Sequence, residues 1–142
     1  MKCAVNDLTR HEFEYKKIKQ KYPEFAFLTA HDKHLLISFV LGCDGALVGF
    51  AALTPKPIVQ MFEAVKNNDL QKAKELHENL ARLRDFIYKE PFGLCHSRIK
   101  QVLFMLGKIP SAEVRGPLVK VSFDEIKELE SILTEGKNNG VF

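Results

Sequence analysis

Apolar residues recur at two different periods along this chain. Leu8, Tyr15, Ile18 and Tyr22 stand near helical spacing with charged residues between them, which predicts an amphipathic helix from Leu8 to Tyr22. Asn6 and Asp7 lead into it, Thr9 with Glu12 reads as a capping box, and Pro23 stops it. Phe25–Thr29, "FAFLT", is an apolar run of strand length. Lys33–Leu41 is apolar nearly all round, which predicts a buried helix ended by Gly42. Ala46–Phe50 reads as another buried strand, and Thr54 caps a third helix with Pro55 in its first turn. With Met1–Val5 as an opening strand, this part runs strand, helix, strand, helix, strand, helix. The internal strands are continuous apolar runs without alternation, as in parallel strands covered on both faces.

From Asp69 the period is helical throughout. Leu70, Ala73, Leu76, Leu80, Leu83 and Ile87 mark a long amphipathic helix ending near Glu90-Pro91, with the leucines read as plain core. Arg98–Leu106 predicts another, closed by Gly107. Ser122 with Glu125 makes a capping box for a last helix to about Thr134, stapled by Val121 and Ile126. The tail "EGKNNGVF" is expected to fray. The predicted organisation is three βα units over residues 1–68, a helical extension over 69–136 and a frayed tail over 137–142. Three parallel strands in this order leave both outer edges unpaired, so the chain reads as the back half of a larger parallel structure.

Composition narrows the function classes. The chain has 142 residues, 46% hydrophobic and 27% charged, with a net charge of +3. That charge is too small and too evenly spread to predict a nucleic-acid or anionic-membrane partner. Lys16, Lys17, Lys19 and Lys21 read as a solvated helix face paired with Glu12 and Glu14. Leu35–Leu53 approaches the length of a membrane span, but Gly42, Asp44 and Gly45 interrupt it. Cys3, Cys43 and Cys95 are widely spaced and odd in number, which suits a reducing compartment and neither a disulfide framework nor a zinc site. No apolar signal-peptide core opens the chain, so the expected location is the cytoplasm. His31 and His34 are three apart, with Asp32 as the nearest carboxylate. Zinc wants three or four ligands, so no metal is expected, and His77 and His96 read as helix-surface residues. Arg115, before Gly116-Pro117, reads as a buried structural ion-pair partner in preference to a subunit-contact residue.

Several segments in order resemble the dihydrodipicolinate synthase / N-acetylneuraminate lyase superfamily. "MKCAVNDLTR" is similar to its sixth strand and following turn, where a strand ending in Gly-Ile/Met-Lys presents the Schiff-base lysine. "FLTAHD" resembles the seventh-strand segment, usually Ser-Gly-x-Asp. "LGCDGALVGFAALTP" resembles the eighth, usually Leu-Gly-Ala-x-Gly-x-Ile-Ser-x-x-x-Asn-x-x-Pro. "DLQKAKELHENL", "IKQVLFMLG" and "EVRGPL" are similar to the C-terminal helices and the turn near the end. The match runs from Lys2 to Gly136.

The resemblance implies an α/β fold, the C-terminal part (strands six to eight) of a (β/α)8 TIM barrel, plus a helical appendage. Such a barrel needs about 250 residues, so strands one to five would lie outside this chain. It also implies a class I aldolase or dehydratase, a lyase that forms an imine between a lysine and pyruvate or another 2-oxo acid, with no cofactor and as a homo-oligomer. On the residues alone Lys2 is a terminal surface charge; by the resemblance it occupies the Schiff-base position. Ala30, Leu47 and Gly49 would line the substrate pocket. Ala30 replaces a usual glycine, Ala52 stands where asparagine is common, and Gly49 stands where sialate lyases carry serine, which points to a different 2-oxo acid. The catalytic tyrosine and the carboxylate-binding loop would belong to the missing half, so the isolated chain is expected to be inactive. The competing reading is a non-catalytic half-barrel or helical module that associates with a partner chain or with itself.

Overall fold

The computed structural model describes residues 1–5 and 7–142; Asn6, read above as part of the first turn, lies outside the described residues. Strand β1 (Lys2–Cys3) is followed by helix α1 (Leu8–Lys21), strand β2 (Leu28–Thr29), a 3₁₀ turn (Asp32–His34), helix α2 (Leu35–Val40) and strand β3 (Gly45–Ala46). A second 3₁₀ turn (Gly49–Ala52) leads to helices α3 (Pro55–Lys66) and α4 (Leu70–Ile87). A third (Phe92–Leu94) precedes α5 (Cys95–Met105), and α6 (Phe123–Asn138) closes the chain.

The strands pair in the order β1-β2-β3, all parallel, with Lys2 level with Leu28 and Gly45, and Cys3 level with Thr29 and Ala46. Paired segments are shorter than the apolar runs predicted, because other acceptors capture their ends. The Phe25 amide donates to Tyr22 O at 3.0 Å in the turn leaving α1, and the Phe50 amide donates to Asp32 Oδ1 at 2.8 Å. Burial alternates along the strands: Lys2 is exposed and Cys3 buried, Leu28 half-buried and Thr29 buried. Cys3 and Thr29 therefore face the helices, and Lys2 and Leu28 the opposite side.

Helix starts follow local chemistry, with two corrections. Asp7, not Thr9, caps α1: its carboxylate accepts the Arg10 amide at 2.7 Å. Asp7→Ala is expected to cost about 1 kcal/mol of stability, measurable as a fall in the urea midpoint. Thr54 stands at the start of α3 but makes no side-chain cap, and its buried Oγ1 has no partner. Asp69 and Ser122 cap α4 and α6 through the amides of Lys72 and Glu125. In α2, Leu35, Ser38 and Phe39 are buried while Ile37 and Val40 are exposed, so this helix is covered on one side only.

One apolar cluster runs through α2 to α6, centred on Phe50, Met61, Leu80, Ile87, Val102 and Leu129. It crosses the boundary expected at residue 68, which lies in the α3–α4 turn. A smaller cluster of Cys3, Phe27 and Cys43 sits beneath Tyr15 and Ile18 of α1. The tail expected to fray is instead packed: α6 continues to Asn138, Val141 is 3% exposed, and the Phe142 ring lies over Gly136. Two apolar residues past the last charged stretch find a surface that the local sequence does not reveal.

The buried arginine is Arg98, not Arg115, which is exposed. Arg98 donates to Glu125 Oε1 from Nη2 at 2.9 Å and from Nε at 3.1 Å, and from Nη1 to Lys89 O at 2.5 Å. Glu125, expected to close the Ser122 capping box, is used by this arginine. The guanidinium thus ties the end of α4 to α5 and α6.

Candidate functional site

The sheet brings three of the four candidate residues, Lys2, Ala30 and Leu47, to one side. Ala30 is two positions beyond Leu28 and Leu47 two beyond Gly45, so both share the parity of Lys2, whereas Gly49 opens the 3₁₀ turn beyond β3 and lies beside Tyr88. Strand spacing and rise place the Ala30 Cα roughly 8 Å, and the Leu47 Cα roughly 12 Å, from that of Lys2. The ladder continues past the paired residues, with Ala30 N donating to Cys3 O at 2.9 Å and Leu47 N to Thr29 O at 2.8 Å. Lys2 is exposed, and Leu47 is 55% exposed, so this face is open.

Beyond the C-terminal end of β2 lies a groove of about 370 Å³ between Ala30–His34 and Tyr88, Glu90 and Phe92. Asp32 organises it. Its Oδ1 accepts the Tyr88 hydroxyl at 2.5 Å and the Phe50 amide at 2.8 Å, which holds the turn that follows Gly49. Burial, then the hydrogen bond to Asp32, pushes the Tyr88 phenol far up, so Tyr88 is a neutral donor. A Cβ at Gly49 would stand 3.5 Å from Tyr88 Oη and 3.6 Å from Ile99 Cδ1. Those are ordinary contacts, so glycine there keeps open a space that a longer side chain would fill.

Tyr88 is the residue the sequence reading missed. It lies at the end of a long helix with core periodicity and is 56 positions from Asp32; nothing local marks it. In the sequence Asp32 stands out only as the carboxylate nearest His31 and His34 and as the last residue of "FLTAHD". Ala52 is exposed, Gly49 lies beside Tyr88, and Ala30 lines the groove. The His31 and His34 rings are 5.3 Å apart, and among the described residues no group of three or more His, Cys, Asp or Glu is arranged to hold a metal ion. All three cysteines are free and buried, and burial raises the Cys43 thiol to about 11. Among the described residues no helix is long and apolar enough to cross a membrane.

Comparison with known proteins gives this half-sheet its context. The chain is 29% identical over 145 residues to a 4-hydroxy-tetrahydrodipicolinate synthase of Pseudoalteromonas atlantica, covering 99% of this chain and 45% of that protein. It is 28% identical over 126 residues to N-acetylneuraminate lyase 2 of Escherichia coli, covering 89% of this chain and 39% of that one. The crystal structure of dihydrodipicolinate synthase from Thermotoga maritima superposes with a TM-score of 0.83 at 24% identity over 99% of this chain and 45% of that chain. The chain thus spans less than half the length of these relatives, and its fold is the C-terminal part of a TIM barrel with its helical appendage. Residues 1–136 match the dihydrodipicolinate synthetase family, and the chain belongs to it.

Proposed function

We propose that this chain supplies the C-terminal half of the active site of a lyase that acts on pyruvate or another 2-oxo acid through a Schiff base on Lys2. The observation that carries the reading is the placement of Lys2, Ala30 and Leu47 on one open sheet face that leads to the groove beside Gly49. A neutral lysine amine attacks the ketone carbon and water leaves. The resulting imine draws electrons from the adjacent carbon, where a C–C or C–O bond is made or broken. The amine must be desolvated, or lie beside another cation, to be neutral near pH 7; strands one to five would close the face over it. No metal or organic cofactor enters this chemistry. The completed enzyme would act in the cytoplasm as a homo-oligomer.

Ala30 and Gly49 themselves offer the substrate no polar side chain, which favours a 2-oxo acid with a less polar tail than a sialic acid. The test is covalent trapping in a barrel completed with strands one to five. Pyruvate with borohydride is expected to leave an adduct on Lys2, absent in Lys2→Ala. An adduct on another lysine, or unchanged trapping in Lys2→Ala, overturns the assignment. A non-catalytic half-barrel module shares the two open strand edges seen among the described residues; it predicts association with a partner chain and no trapping.

A further inference from the structure

Three imidazoles form a row that starts between α1 and the sheet at His11 and runs out to His34 at the start of α2, and none has a role in the proposed imine chemistry. His11 of α1 is 0% exposed and His31, just past β2, is 5% exposed. Their ring centroids are 5.4 Å apart, and His31 lies 5.3 Å from His34. The row ends inward at Cys43, whose Sγ is 3.5 Å from His11 Nε2, and against the Phe27 ring at 5.5 Å. His11 Nδ1 and His31 Nε2 are both buried without a hydrogen-bond partner. An apolar side chain would fill either place at no such cost.

We infer that the His11–His31–His34 row is an acid-sensitive latch, which holds α1 and the β1 strand before it against the sheet while the rings are neutral and releases them when the rings are protonated. A proton on His11 or His31 would put a cation beside another imidazole in a buried layer. The nearby carboxylates are already engaged. Glu14 of α1 accepts from Arg10 and from the Cys3 thiol. Asp7 caps α1 through the Arg10 amide, and Asp32 accepts from Tyr88 and Phe50. On the far side, Lys33 and, from α4, Arg84 act as like charges on His34, and His77 of α4, within hydrogen-bond distance of Arg84, faces it too. Burial holds all three imidazoles below their usual value, and outweighs Glu14 at His11 and Asp32 and Asp7 at His31. The Cys43 thiol, raised to about 11, does not titrate in the same range.

The sign follows from linkage. Above about pH 6.5 the rings are neutral whether α1 is docked or released. As pH falls below that value toward the lower docked-state values, the released segment binds protons that the docked one refuses. Opening then gains up to about tenfold per pH unit for each imidazole. Because α1 covers Cys3 of the strand that carries Lys2, release would uncover that strand's buried face. The inference stands whether or not Lys2 forms an imine.

Hydrogen exchange on the whole chain at pH 7.5 and 5.5, corrected for intrinsic rates, tests it. Protection over residues 8–21 is expected to fall at least tenfold more than in α3 and α4. His11→Phe and His31→Phe should each remove part of that difference. An equal loss in all helices, no loss, or wild-type behaviour in both variants overturns the latch. If the variants fail to fold, proton NMR of the wild-type histidine rings decides: His11 and His31 should stay neutral down to pH 5.5 while α1 is docked. Titration of either near pH 6.5 with α1 still protected overturns it.

Discussion

Arg98→Met should be among the most damaging single substitutions in this chain, at about 3–5 kcal/mol. The guanidinium is 0% exposed. Its removal leaves the Glu125 carboxylate, itself only 16% exposed, with Lys89 Nζ at 3.5 Å in place of the bidentate guanidinium, and takes the Arg98 donor from the carbonyls of Lys89 and Ile87. A domain's net stability is about 5–15 kcal/mol, so the loss takes a large share of it. Glu125→Gln keeps an acceptor and removes only the charge, and should cost less. Urea denaturation followed by circular dichroism measures both. Arg98→Met within 1 kcal/mol of wild type would show that the network is not what joins α4, α5 and α6.

The second large effect concerns the chain by itself. It is expected to show no measurable lyase turnover with pyruvate and an aldehyde partner, whereas a barrel completed with strands one to five should turn over. The β1 and β2 end of the sheet is held from one side by a small cluster of Cys3, Phe27 and Cys43 with their α1 neighbours, while Ala46 of β3 packs on the helical core. On its other side Leu47 is 55% exposed, and each large apolar side chain left wet forgoes about 1.5–3 kcal/mol. The helices instead share one continuous core. Hydrogen exchange should therefore be slowest in α3 and α4 and much faster at Phe27–Ala30 and Asp44–Leu47, or the chain should self-associate through its strand edges. Turnover by the isolated chain, or strong protection of those strands in a particle that sediments as a monomer, would mean that the half-barrel is sufficient alone.

The order and kind of the elements were legible in the sequence because they rest on local physics. Period and caps act over a few residues, as Asp69 and Ser122 show at their helix starts. Gly42, with a φ of 99°, ends its helix where only glycine is at ease. Continuous apolar strands implied a parallel sheet, and the sheet has that form. The order of the quoted motifs marked the family, because a resemblance needs only sequence.

What the tertiary structure decided are pairings across long separations. Strand length was misread because Asp32 takes the Phe50 amide out of the ladder. Arg98 and Arg115 look alike in sequence, but only Arg98 sits where two helices and the end of a third converge. Tyr88 carries helical core spacing and becomes part of the groove because α4 ends beside Asp32. The histidine row joins His11 to His31 across a helix and a strand. The tail docks because the turn after Asn138 points Val141 back into the core. A polar or charged side chain is stable in a buried place only when its partners arrive with it, and those partners are set by how the elements pack.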